Sequence, residues 1–160
     1  MGPRRLGRFL SRLYSFLSMP IYSTPMEANG TYTNVIFLHH STGQNLITEG
    51  NVRQRLTDLG YQFWDHSFNH TGLIRPDGTP TKAHYNIPGA MGQGNTDVAG
   101  LARLFSQPVT APPSNAFSRL LQHEVIIVKS CFPNSAIKDD EMQEQFRAWY
   151  LQMRAVMDQH

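Results

Sequence analysis

The sequence predicts an α/β domain in which helices cover both faces of a parallel sheet. Strand-like runs alternate with amphipathic helical segments along residues 31–160, the order that parallel strands and crossover helices produce. Two of the strand-like runs, residues 33–39 and 124–129, are rich in β-branched residues, as strands buried on both faces are. A hydrophobic content of 40% with only 16% charged residues is typical of a chain that folds around a core and excludes the disordered class.

The first half of the domain contains two predicted strands with a helix between them. Residues 33–39 (TNVIFLH) form the first strand, and residues 61–66 (YQFWDH) form the second. Between them, apolar residues recur at helical spacing up to Gly60, a residue type that commonly ends helices. Residues 67–94 are dense in Gly, Pro, Asn and His, so we expect a long loop there.

The second half adds two helices, a third strand and a long final helix. The first of these helices is predicted to begin at Thr96 or Asp97, and residues 114–122 form a shorter helical piece. Residues 124–129 (EVIIVK) are the clearest strand and suit the centre of a parallel sheet. The final helix is predicted to begin with Asp140 as its cap. Its predicted apolar face consists of Met142, Phe146, Trp149, Tyr150, Met153, Val156 and Met157.

The number of predicted strands indicates an incomplete sheet. Three strands are few for a sheet of this kind. The sequence given ends in a strongly amphipathic helix, after which a further strand normally follows. We therefore expect residues 31–160 to be the first part of a larger, C-terminally truncated domain.

Residues 1–30 form a basic extension and linker whose charge differs from that of the domain. The first acidic residue is Glu27, and four arginines precede it: Arg4, Arg5, Arg8 and Arg12. Removing those four from the 14 basic residues leaves 10, against 12 acidic ones, so no basic domain suited to nucleic acid is expected. The extension is compatible with a poor signal peptide, a transit-type segment, a membrane-surface helix or a loosely ordered tail. Cytoplasmic location and export both stay open, and no apolar run is long enough for a spanning helix.

The chemistry is expected where the three predicted strands end. Ligands of open parallel sheets gather at the carboxyl ends of the strands, which here lead into residues 40–43, 69–72 and 130–135. Ser41 lies between the first strand and a helix start, where an exposed hydroxyl would face unpaired N–H groups. Gly43 is expected to let the backbone turn sharply at this point. The alternative is that Ser41 or Thr42 is an ordinary helix cap.

Three motifs of the sequence resemble a bacterial branch of the SGNH (GDSL-like) hydrolase superfamily. They are His-His-Ser-Thr-Gly-Gln-Asn-Leu at 39–46, Asp-His-Ser-Phe-Asn at 65–69 and Lys-Ser-Cys-Phe-Pro at 129–133. The resemblance spans roughly Asn34 to the C-terminus. It implies a three-layer, flavodoxin-like fold and ester hydrolysis through an acyl-serine intermediate, without a cofactor. The implied substrate is a small-molecule or glycan ester.

The resemblance also implies roles for individual residues. Ser41 takes the nucleophile position, and its N–H, with the N–H of Gly72 and the side chain of Asn134, takes the oxyanion hole. The sequence departs from the superfamily at His39-His40, where Gly-Asp is usual, and in lacking a recognisable Gly-x-Asn-Asp block. The Asp-x-x-His that supplies the base is also absent, so we expect this chain to be inactive or nearly so.

Three other interpretations of the same residues stay open at this stage. The first is a non-catalytic module that binds glycan or acyl groups. Its stacking surface would be formed by Trp64, Phe68, His84 and Tyr85. The second is a metal site at the strand ends, formed by His39, His40, His66, His70 and Asp65, although no recognised ligand spacing occurs. The third is Cys131 as a nucleophile in place of the serine.

Overall fold

The computed structural model of the chain describes residues 32–68, 72–85, 98–129 and 136–160. Within these residues it contains four strands and five helices. In chain order they are β1 (Asn34–His39), α1 (Thr42–Thr48), α2 (Val52–Asp58), β2 (Gln62–Ser67), β3 (Gly72–Ile74), α3 (Val98–Phe105), α4 (Ala116–Leu120), β4 (Val125–Val128) and α5 (Asp140–Met157). The three strands predicted from the sequence are all present, each within two residues of its predicted bounds.

The four strands form one mostly parallel sheet in the order β3-β2-β1-β4. β1 pairs in parallel with β2, where Phe37 lies opposite Asp65, and with β4 on its other side. The central position therefore belongs to β1, whereas β4 was expected there; in the described part of the chain β4 pairs only with β1. β3 runs antiparallel to β2 and lies within the segment predicted to be loop.

Helices pack on both faces of the sheet, as the alternation along β1 requires. On one face, Val35 and Phe37 of β1 and Phe63 of β2 pack against apolar residues of α1 and α2. On the other face, Ile36 and Leu38 belong to the larger core cluster, which includes residues of α3, α4 and α5. Because side chains alternate along a strand, His39 falls on the first face, beneath α1 and α2.

The helix ends follow from local hydrogen bonding. At the end of α2, the N–H of Gly60 donates to the carbonyl of Thr57 and the N–H of Tyr61 donates to the carbonyl of Leu56, both at 2.9 Å. With its φ of 87°, Gly60 completes a Schellman motif, as its position predicted. α5 is capped by Asp139, whose carboxylate accepts from the N–H of Met142 at 2.8 Å, and not by Asp140.

The long helix α5 buries a narrower stripe than its sequence predicts. Phe146 and Met153 are buried, whereas Tyr150 and Met157, which belong to the predicted apolar face, are each 52% exposed. Among the described residues, no helix combines the length and the hydropathy that crossing a bilayer requires.

Candidate functional site

Ser41 lies in a strained turn at the carboxyl end of the central strand. Its backbone has φ 46° and ψ −112°, outside the conformations that residues with a side chain ordinarily adopt. The residue is exposed and stands at the N-cap position of α1, yet its side chain makes no capping hydrogen bond to that helix. The ordinary capping role weighed against catalysis therefore does not explain this serine.

Gly43 is required here by a close approach rather than by a left-handed φ. A Cβ atom on Gly43 would lie 2.4 Å from the Cβ of His39 and 3.1 Å from its Nδ1. The left-handed φ of this segment belongs to Ser41, while Gly43 lies in the first turn of α1. Gly43 therefore permits the sharp turn through its missing side chain, which lets the helix start rest directly on His39, and not through a φ of its own.

A buried polar chain of three residues lies beneath this turn. Nε2–H of His39 donates to Oδ2 of Asp65 at 2.9 Å, and the guanidinium of Arg53 pairs with Oδ1 of the same carboxylate. The side chains of His39 and Asp65 are 0% exposed, and that of Arg53 is 16% exposed. The chain joins β1, β2 and α2, since each element contributes one member.

Asp65 fixes the tautomer of His39. Because the carboxylate can only accept, Nε2 carries the ring proton and Nδ1 is left as an acceptor. Nδ1 is buried and has no hydrogen-bond partner among the described residues. Burial, which is the largest cause, and the positive charges of Arg53 and Lys129 together lower the pKa of His39 to about 4. The ring is therefore neutral at pH 7 and stacks on Phe37, with centroids 4.9 Å apart.

Arg53 is held by more than its carboxylate partner. Nη1 donates to the carbonyl of Phe63 at 3.2 Å and to the carbonyl of Arg75 at 2.6 Å. These contacts tie the guanidinium to β2 and to the residue after β3, which holds Asp65 in place. The pairing of Arg53 with Asp65 was not predicted from the sequence, although a lone carboxylate within the aromatic run 61–66 indicated that Asp65 would need a buried partner.

His66 lies on the opposite face of the sheet from His39. Its Nε2 accepts the N–H of Tyr85 at 2.8 Å, and its ring stacks on that of Tyr85 with centroids 5.1 Å apart. Burial lowers the pKa of His66 well below its ordinary value, and the neighbouring His84 lowers it further. His66 is therefore a neutral core residue whose acceptor is already used, which argues against a role as general base.

The proposed metal cluster is not assembled by the described residues. His39 and His66 face opposite sides of the sheet, and within the described ranges no group of three or more His, Cys, Asp or Glu side chains is arranged to hold a metal ion. His70 lies outside the described residues, as do Cys131 and Asn134.

Gly72, the expected second oxyanion donor, begins β3 opposite Ser67 of β2. Its φ is 65°, and a Cβ there would lie 2.3 Å from the carbonyl oxygen of Ala83. Both features require glycine for the packing of this hairpin, so its presence has a structural explanation independent of catalysis.

The aromatic residues expected to form a stacking surface are mostly buried. Trp64 is 3% exposed, Phe68 is 6% exposed and Tyr85 is 4% exposed, all within the larger core cluster. Among the four, only His84 is exposed. Packing in the core, the simpler explanation of Trp64 and Phe68, is therefore the correct one.

Comparisons of the chain with protein-family models, with curated proteins and with solved structures found no match.

Proposed function

We propose that this chain carries the nucleophile of a serine ester hydrolase, with Ser41 as the attacking residue. The observation that carries the proposal is the backbone of Ser41, an exposed serine in a strained strand-to-helix turn. Strain of this kind costs of order 1–3 kcal/mol and persists where the surrounding structure enforces it, most often at functional sites. Serine nucleophiles of hydrolases on parallel sheets use such a turn to expose Oγ above the sheet.

Close contact between the residues that flank Ser41 supports the same role. In the sharp turn of such hydrolases, the residues two before and two after the serine approach closely, so small residues are favoured there. Here the pair is His39 and Gly43. A Cβ atom at position 43 would lie 2.4 Å from the Cβ of His39, so the two residues can come this close only because position 43 is glycine. The motif thus retains glycine on the helix side and carries histidine on the strand side.

The sheet order supports a doubly wound fold of the flavodoxin-like type for the proposed enzyme. The parallel strands lie in the order β2-β1-β4, which is second, first and third along the chain. Flavodoxin-like sheets begin with this order, and their ligands bind beside the first strand where the order reverses. Ser41 follows β1, next to that point of reversal.

In the proposed reaction Oγ of Ser41 attacks the carbonyl carbon of an ester and loses its proton. The alcohol departs with a proton, leaving an acyl group on Oγ, and water then releases the acid and restores the serine. The N–H groups of Ser41 and Gly72, with the amide of Asn134, are the proposed donors to the oxyanion. No cofactor is needed for these steps, and the proposed substrates are small-molecule or glycan esters.

The experiment measures one bond-forming step at Oγ, its phosphonylation, and not turnover. Because the base of the superfamily is not found in this sequence, hydroxide in an alkaline buffer takes up the hydroxyl proton. An alkyl fluorophosphonate forms a bond from Oγ to phosphorus and releases fluoride, so intact-protein mass spectrometry counts one adduct per chain. We expect one adduct, located on the peptide that contains Ser41. Ser41→Ala should abolish the labelling, whereas Thr42→Ala, which removes the neighbouring exposed hydroxyl, should retain it. Labelling that survives Ser41→Ala would exclude Ser41 as the nucleophile.

A further inference from the structure

The buried chain of Arg53, Asp65 and His39 touches the turn that carries Ser41. His39 is the last residue of β1, and its Cβ and Nδ1 border the space where Gly43 lacks a side chain. Ser41 lies between these two contacting residues. Any movement of the His39 ring or of its backbone must therefore move the turn on one side or the other of the serine.

The position of His39 is determined by the neighbouring strand and helix. Oδ2 of Asp65 accepts from Nε2–H of His39 at 2.9 Å, while Oδ1 is held by Arg53. Arg53 is in turn anchored by the carbonyls of Phe63 and Arg75. The imidazole consequently has one orientation and one tautomer, with its acceptor atom Nδ1 toward Gly43.

The burial of this chain needs a reason other than stability. Apolar residues of similar volume often stabilise a core as well as a buried ion pair or better. Phe63 and Phe37, which lie on the same face as Asp65, show that this part of the core accommodates apolar side chains. A carboxylate that is 0% exposed, with one oxygen hydrogen-bonded to His39 and the other in an ion pair with Arg53, is instead typical of groups that orient a functional residue.

We propose that His39, held by Asp65 and Arg53, is a positioning residue that sets the strained turn of Ser41 for attack. This rests on the proposed function, since the effect is measured on phosphonylation of Ser41. Asp65→Asn keeps the size of the side chain but places an amide, which both donates and accepts, against Nε2. The ring then loses its fixed tautomer and orientation, and the contact with Gly43 is no longer defined.

The expected effect is on the rate of the chemical step and not on binding. Removing an outer group that orients a functional residue typically costs about 10–100-fold. We therefore expect Asp65→Asn to lower the maximal rate of fluorophosphonate labelling by about 10–100-fold, with the half-saturating concentration of the probe unchanged. A purely structural role would lower the melting temperature and leave the rate per folded molecule as it is.

The test compares labelling rates across probe concentrations for the wild type, Asp65→Asn and His123→Gln, each shown to be folded by circular dichroism. His123 is a matched control, since it is a buried histidine at a distance from the turn, packed edge-on against Trp64. A slow maximal rate in Asp65→Asn with a normal rate in His123→Gln supports the proposal. In case Asp65→Asn does not fold, Arg53→Lys keeps the charge but cannot contact Asp65 and the two backbone carbonyls at once, and it should slow labelling in the same way.

The outcomes separate the two proposals. Wild-type labelling at Ser41, together with an unchanged maximal rate in folded Asp65→Asn or Arg53→Lys, overturns the positioning role and leaves the proposed function intact. Absence of labelling in the wild type overturns the proposed function and the positioning role together. Ring-nitrogen NMR of His39 gives a second readout: protonated Nε2 with unprotonated Nδ1 supports the proposal, and the opposite tautomer contradicts it.

Discussion

Removing only one partner of the ion pair between Arg53 and Asp65 is expected to destabilise the sheet around Ser41 strongly. Arg53→Met leaves a fully buried carboxylate without its cation, and Asp65→Val leaves a guanidinium that is 16% exposed without its anion. Breaking a buried pair by removing one partner costs about 3–5 kcal/mol. Since a domain of this size has a total stability of about 5–15 kcal/mol, each single variant should be close to unfolding.

The double variant, with Arg53→Met and Asp65→Val together, should lose much less stability than the two single variants lose in sum. It contains neither charge, and its main defect is the Nε2–H of His39, which loses its acceptor. An unsatisfied buried donor costs about 1–3 kcal/mol, so the coupling between the two positions should exceed about 2 kcal/mol.

Urea unfolding of the wild type, the two single variants and the double variant measures this coupling, with the midpoint and the slope of unfolding fitted for each protein. Glu144→Gln is the control, because it removes a surface pair with Arg147 whose side chains are 72% and 70% exposed. It should change stability by no more than about 0.5 kcal/mol. If the double variant loses the sum of the two single losses of stability to within about 0.5 kcal/mol, Arg53 and Asp65 are not energetically coupled.

Three further predictions concern the turn and the buried histidines. Gly43→Ala drives a Cβ into His39 and should cost about 1–3 kcal/mol, seen as a fall of several degrees in melting temperature. Ser41→Gly should be more stable than Ser41→Ala by about 1–3 kcal/mol, because glycine adopts φ 46° without strain. Burial lowers the pKa of both His39 and His123 to about 4, so both are neutral in the folded state while the unfolded chain binds protons below about pH 6.5. Stability should therefore fall between about pH 6.5 and 4, and His123→Gln should flatten that slope by up to about 1.4 kcal/mol per pH unit in urea titrations.

Each of these predictions has a control within the chain. Gly60→Ala tests backbone strain without a clash, since a Cβ at Gly60 (φ 87°) meets nothing within 4 Å. A Gly43→Ala protein as stable as the wild type would mean that His39 does not press on the helix start. Equal stabilities of Ser41→Gly and Ser41→Ala would contradict the strained turn. For the histidines, an unchanged pH slope in His123→Gln would show that this ring is not buried in its neutral form.

Hydrophobic patterning predicted the parallel strands because their apolar, β-branched runs stand out from the polar segments around them, although β4 is only partly buried. Residues 34–39 and 125–128 are strands in the structure with nearly the predicted bounds. The short strand β3 was missed because its three residues, Gly72–Ile74, carry too little pattern to separate them from the loop around them. The central place expected for β4 was wrong because its apolar run also fits a strand at the side of the sheet, and Ile127 is 43% exposed.

The sequence predicted the part of the candidate site that follows from the order of residues along the chain. It did not predict the part that depends on contacts between distant residues. Ser41 follows from the place of a serine after a buried strand. The partnership of Arg53 and Asp65 does not, because it joins residues 12 positions apart whose meeting is set by the packing of α2 against β2. On the helix pattern alone, Arg53 belongs to the polar face of α2 and gives no sign that its head lies in the core.

Relieving the strained turn and breaking the buried chain of Arg53, Asp65 and His39 should have opposite effects on the stability of the protein. Relief of the turn by Ser41→Gly should raise stability, while Asp65→Asn should lower it. Both should abolish or slow phosphonylation, the first by removing Oγ and the second by releasing the turn. Loss of labelling in a stabilised Ser41→Gly protein would show that labelling depends on Oγ and not on the fold alone. If the rate of phosphonylation followed stability across Asp65→Asn, Arg53→Lys and Gly43→Ala, the chain beneath Ser41 would be a structural feature of the sheet, and only the strained turn would support Ser41 as a nucleophile.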